Sequence, residues 1–174
     1  MLFRSYEEGF FCYNPHTKKT AQVKLGYGAD ELNPTYGISS MADYGKQVIA
    51  TTNKGQMVCM DGEKGGVLWQ DNWMHDNGGL ENQDYKLTVD QQGNFWVVSL
   101  EYTFIYIRSE KRWSKQLTDY LHAHGITDVP EKLEPWDVKI DKQGWIWAAT
   151  DHEGLFVIDM KNHQVRQLDR KSVV

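Results

Sequence analysis

Apolar and polar positions along this chain alternate in short runs separated by Gly, Asp and Asn, the period of two that half-buried strands require and not the 3.6-residue spacing of helices. The clearest case is the stretch DKQGWIWAATDHEGLFVID, residues 141–159. Around it four runs rich in β-branched and aromatic residues follow one another, at 136–140, 145–150, 155–159 and 164–168. The same order of four returns at 85–89, 95–100, 104–108 and 112–117, and again at 38–42, 47–51, 56–60 and 67–70.

The turns repeat with the strands. Gly45, Gly93 and Gly144 mark successive hairpins and lie 48 and 51 residues apart, a period in the range of blade-type repeats. In Asp90-Gln-Gln-Gly93 and Asp141-Lys-Gln-Gly144 the carboxylate is suited to accept from turn amides and the glycine to supply a positive φ. Asp43-Tyr-Gly45 reads as a weaker third copy. Trp145 and Trp147 point to one face of their strand, with Ile146 and Ala148 on the other. Trp147 corresponds in position to Trp96 and Val48, so this slot is expected to be filled and apolar, with Ala148, Ala149 and Thr150 leaving room for a neighbour.

Four antiparallel strands every 50 residues make a β-propeller blade, and the expected fold is all-β, with about four four-stranded blades at roughly 1–33, 34–80, 81–130 and 131–174 in a single segment. The first blade is incomplete: 1–5, 10–13 and 21–25 occupy second, third and fourth positions. Ser172-Val173-Val174 reads as the start of another first strand. Either this end closes a small ring or the chain is part of a larger propeller, and the second is the expectation. Open blade faces then favour self-association or further blades.

Composition narrows the classes. The 174 residues are 40% apolar with mean hydropathy −0.62, and no run approaches the ~18 apolar residues of a spanning helix. The N-terminus lacks the order of a signal peptide. A net charge of −5 with scattered Lys and Arg argues against nucleic acid. Cys12 and Cys59 stand alone, without the spacing of a zinc or redox pair, and read as small buried hydrophobes. No nucleophile elbow, phosphate loop or metalloprotease motif occurs, and neither metal nor cofactor is expected.

Candidate chemistry is confined to loops. The connection 71–84 combines Trp73, His75 and Asp76, an aromatic face and planar polar groups of the kind that recognise a pyranose ring. Tyr102, and Asp151 with His152, lie in loops between second and third strands and are further ligand-binding candidates. The connection 117–135 has helical spacing at Leu117, Tyr120, Leu121 and His124, with Thr118 or Ser114 as N-cap and Gly125 as C-cap, and is expected to pack on the rim. His122 and His124 face different sides of such a helix, which argues against joint metal ligation.

The last copy resembles the two-component regulator propeller repeat, matching its pattern at Val138, Asp141, Gly144, Trp147, Thr150, Gly154, Leu155 and Asp159. Asp90, Gly93 and Trp96 match in part, with Ser99 in place of Thr, and Ala149 stands where glycine is usual. Such repeats are similar to those of the periplasmic sensors of Bacteroides-type hybrid histidine kinases. The resemblance implies a non-enzymatic, extracytoplasmic segment that detects an oligosaccharide and relays the signal to a kinase elsewhere in a longer chain. Two rival readings are a propeller scaffold for protein partners and, further off, a propeller lyase or lactonase with residues from several blades on the axis.

Overall fold

The computed structural model describes residues 2–5, 9–15, 17–22 and 37–168; the strand start expected at 172–174 lies outside them. Strands β1 (Leu2–Ser5), β2 (Gly9–Asn14) and β3 (Lys19–Gln22) form a three-stranded sheet. Three four-stranded sheets follow. The first holds β4 (Ile38–Tyr44), β5 (Gln47–Thr52), β6 (Met57–Asp61) and β7 (Val67–Asp71). The second holds β8 (Lys86–Val89), β9 (Phe95–Val98), β10 (Thr103–Ile107) and β11 (Arg112–Ser114). The third holds β12 (Pro135–Ile140), β13 (Ile146–Thr150), β14 (Leu155–Asp159) and β15 (Gln164–Leu168). Every pairing is antiparallel between sequence neighbours, so each sheet is a meander, and the chain is built of propeller blades. It divides into two compact units, Met1–Tyr85 and Lys86–Val174.

In the first unit Ile38, Ala50, Val58 and Met60 form a buried cluster flanked by Met41 and Val48. Cys59 is buried beside them, and burial pushes its thiol pKa up. The connection after β7 is not the flexible loop its glycines suggest. It opens with a one-turn helix, α1 (Trp73–Asp76), whose Met74 is buried. The Met74 carbonyl accepts from the Gly79 amide at 2.7 Å. Tyr85, buried at the end of the unit, donates from its hydroxyl to the Leu80 carbonyl at 2.6 Å, and burial raises its pKa to about 12.

Gly55 closes this corner, with φ +74° and space for a Cβ only 2.8 Å from the Tyr85 hydroxyl. At Gly45, φ is +64° but a Cβ would meet open space. Gly45→Ala therefore costs only the left-handed backbone penalty of about 1 kcal/mol. Gly55→Ala adds displacement of a buried, hydrogen-bonded tyrosine and is expected to cost about 2–3 kcal/mol, readable as a lower urea midpoint of the first unit.

In the second unit one core cluster draws on both sheets and on helix α2 (Leu117–Ala123): Trp96, Val98, Ile105 and Ile107 from one sheet, Val138, Ile146, Ala148, Phe156 and Ile158 from the other. The helix contributes Leu117, Tyr120 and Leu121, so it is core and not a rim appendage. Its start also differs from expectation. Gln116 is the N-cap and makes no side-chain cap bond, while the Thr118 hydroxyl, inside the helix, accepts from the Leu133 amide at 3.0 Å and ties down the returning strand. Gly125 follows the C-cap residue His124 at φ +77°; its amide bonds the His122 carbonyl and the Ile126 amide bonds that of Leu121, a Schellman arrangement.

The first strands β8 and β12 and the turns that follow them are stitched by side chains. Lys86 Nζ donates to the Trp136 carbonyl at 2.8 Å, Thr88 Oγ1 to that of Val138 at 3.1 Å, and Gln91 Nε2 to that of Lys142 at 2.6 Å. Donor and acceptor stand one repeat apart in the sequence each time.

Candidate functional site

The meander order places two kinds of loop at opposite ends of each sheet. At one end lie the turns between first and second and between third and fourth strands; at the other lie the loops between second and third strands and the connections between blades.

The first end is occupied by turn chemistry. Asp90 Oδ1 accepts from the amides of Gln92 and Asn94, at 2.9 and 2.8 Å, and Oδ2 accepts from the Trp96 indole at 2.9 Å. Asp141 repeats this: Oδ1 takes the amides of Gln143 and Trp145, and Oδ2 takes the Trp147 indole at 2.9 Å. That indole bond, followed by desolvation in the opposite sense and the turn amides, holds the Asp141 carboxyl below its usual range. Gly93 and Gly144 carry φ of +80° and +84°. Thus D-x-x-G-x-x-W is one unit, its aspartate clamping both the turn and the tryptophan that the turn leads into.

In the sheet of β4–β7 this motif is absent, with Ala42 where the aspartate and Val48 where the tryptophan would stand. Asp43 is not a turn residue as the weaker copy suggests; it pairs with Val48 inside the sheet, and Tyr44 and Gln47 flank a two-residue turn. Without an indole to hold, the long turn has no purpose and Gly45 makes a tight one.

Turns between third and fourth strands share a feature that residue types alone do not display. Lys18, Gly65, Lys111 and His163 all have positive φ, between 52° and 72°. Asn14, Asp61 and Asp159, four positions earlier in three of these turns, accept the following amides. Those amides hold the Asp61 carboxyl low, as the Asn162 side chain and amides do for Asp159.

At the second end, loops between second and third strands are pinned by a hydroxyl. The Thr150 hydroxyl donates to the Gly154 carbonyl at 2.9 Å and accepts the Glu153 amide; Ser99 does the same with the carbonyl and amide of Tyr102, and the Thr52 hydroxyl accepts the amides of Lys54 and Gln56. Gly154 has φ +84°. Beyond the pin, Asp151 and His152 project into solvent, with His152 Nε2 3.3 Å from Asp151 Oδ2. Tyr102 is half-buried, one face of its ring covered by Lys115 Nζ at 4.1 Å from the centroid and Phe104 beside it at 5.4 Å. These three candidates belong to the same end of the second unit.

The other three belong to the first unit. Trp73 and His75 are half-buried in α1 and Asp76 is exposed. His75 Nδ1 lies 3.1 Å from the Lys54 carbonyl, which can only accept, so this nitrogen carries the proton and the ring braces the corner around Gly55. His122 is exposed on α2, and the His124 ring packs against Tyr120, 4.3 Å between centroids.

Sequence reading missed Trp136. Pairing of β12 with β13 runs from Pro135–Thr150 to Asp137–Ala149, so Trp136 is the extra residue of a β-bulge, and it is 56% exposed. The first unit has the same irregularity at Ser39, between Ile38 and Ser40. Bulges re-aim side chains and collect beside binding sites. An apolar ring directly after a proline at the start of a strand was the available signal.

These features define a protein of the β-propeller class. Its described parts are similar in fold to two extracellular domains of B. thetaiotaomicron: that of the one-component system BT4673, at 15% identity, TM-score 0.61, over 97% of this chain and 24% of the other, and that of the hybrid two-component system BT3049, at 12%, 0.57, 95% and 19%. The β-propeller domain of Cps50 (Swd1) of Myceliophteria thermophila is similar at 12% identity and TM-score 0.56 over 91% of this chain and 51% of its own. The chain thus spans a quarter or less of the two bacterial domains. No protein-family pattern and no curated relative matches it. At these identities the likeness establishes the fold alone.

Proposed function

We propose that this chain is a ligand-sensing propeller segment of an extracytoplasmic receptor of the hybrid two-component kind, that it carries out no reaction itself, and that its ligand is an oligosaccharide. The observation that carries the reading is the bulge at Trp136, which presents an indole to solvent at the loop end that also holds Tyr102, Asp151 and His152. An exposed ring offers a stacking face to the apolar side of a sugar, and the carboxylate and imidazole of the neighbouring loop offer partners for hydroxyl groups. The likeness to extracellular domains of B. thetaiotaomicron signalling systems supports the sensing role and a location outside the cytoplasmic membrane. In the first unit Asp76 remains as an exposed contact, with Trp73 and His75 holding its helix. Ligand binding biases a kinase only by its differential affinity for two receptor states.

Calorimetry against a panel of glycan fragments tests the proposal. One oligosaccharide is expected to bind, and Trp136→Ala to weaken it at least about tenfold through loss of the stacking face. Binding of a protein partner, with no glycan bound, is the result expected of a scaffold and overturns the sensor reading.

A further inference from the structure

The slot that holds Trp96 and Trp147 in two sheets is occupied by Val48 in the sheet of β4–β7, and at this point the first unit has a recess of about 620 Å³. This is a volume suited to a small ligand. Its floor is apolar. Val48 and Met41 line it, both half-buried, on the flank of the cluster formed by Ala50, Val58 and Met60. A valine fills only a fraction of the space of an indole, and the tight turn at Gly45 replaces the longer turn whose aspartate holds the ring in the other two sheets. The recess is the space left when ring and clamp are taken out of a repeat that elsewhere contains both. Apolar space of this origin takes up small aromatic molecules.

The polar groups at the margin narrow the choice. Asp43 pairs directly with Val48 across β4 and β5, so both side chains leave the sheet on the same face. The Asp43 side chain lines the recess and is exposed, and no hydrogen bond or ion pair joins its carboxylate to a described residue. In the other two sheets a carboxylate accepts the indole N–H at 2.9 Å. Asp43 offers the same kind of acceptor at the edge of the vacated slot. Glu63 adds a second negative charge to the margin and Lys46 a single positive one. A ligand that fits brings a flat aromatic ring, an N–H or ammonium donor, and no carboxylate.

We propose that this recess is a binding site for a small aromatic amine, whose fused ring enters the empty tryptophan slot over Val48 and Met41 and whose N–H or ammonium group faces Asp43. The site is independent of the sugar reading, since it lies in the other unit and takes another class of ligand.

The test is ¹H–¹³C methyl NMR of the full chain, following Val48 and Met41 during titration with tryptamine, indole and indole-3-acetate. Tryptamine is expected to shift both residues with about millimolar affinity, and indole-3-acetate to bind at least about threefold more weakly. Val48→Trp, which fills the slot with the repeat's own indole, is expected to abolish binding while the far-UV circular dichroism is kept. Asp43→Asn changes only an exposed side chain and is expected to weaken tryptamine about threefold, with a smaller loss for indole; it decides the matter if Val48→Trp does not fold. Four results overturn the site: no aromatic ligand moves Val48, a folded Val48→Trp binds as before, Asp43→Asn leaves tryptamine binding unchanged, or the shifts are confined to residues around Trp136. None of these touches the sensing role, which the glycan titration tests separately.

Discussion

Trp96→Ala is expected to destabilise the Lys86–Val174 unit by about 4 kcal/mol, and Trp147→Ala by only about 1–2 kcal/mol, although the two residues occupy the same slot of the repeat and make the same indole bond. The difference lies in what covers them. Trp96 is 2% exposed, in a core shared with α2 and the next sheet, so its removal leaves a cavity in addition to lost transfer energy. Trp147 is half-buried on the face of β13 opposite Ile146 and Ala148, and its neighbourhood is open enough to relax. Urea unfolding resolves the pair: a loss of 4 kcal/mol lowers the midpoint by about 2 M or more in a unit of this size. Equal losses at the two sites would show that the slot, and not its cover, sets the energy.

The second large effect concerns the clamp. Asp90→Ala removes the acceptor of the buried Trp96 indole and of the Asn94 amide and side chain together, with an expected cost of about 3 kcal/mol. Trp96→Phe removes only the indole partner. In a double-mutant cycle of these substitutions a coupling of about 1–2 kcal/mol is expected, because each single change strands or vacates the same bond. Additive losses would mean that the aspartate serves the turn alone and the contact with the tryptophan is incidental.

The strand order was legible because its signals are local. Runs of β-branched and aromatic residues and the Asp-x-x-Gly turns place 155–159 and 164–168 where the strands lie, and miss others by one to three residues at their ends, most at 112–117, where β11 stops at Ser114 and Leu117 opens α2. The indole bond of Asp90 and Asp141 has a constant spacing of six residues, but residue types do not display it, because accepting from turn amides is already a sufficient role for a carboxylate at a turn. Helical spacing gave α2 a buried face but could not say which surface it meets, and so the helix that fills the interior of the second unit was placed on its rim. Thr118 looked like a cap because its residue type favours one; a tertiary bond to Leu133 engages it instead. Lys18, Lys111 and His163 give no hint of positive φ, since only the position in the turn demands it. Binding surfaces were least legible. The exposure of Trp136 depends on one extra residue in a ladder, which no residue type announces.

Three tethers run from the tips of Lys86 and Thr88 in β8, and of Gln91 in the turn after it, to main-chain oxygens of β12 and its own following turn. Neighbouring blades are thereby laced along their first strands by replaceable threads instead of a continuous amide seam. Each thread can be cut by a point substitution without unravelling either sheet, which gives selection a graded control over how stiffly one blade leans on the next.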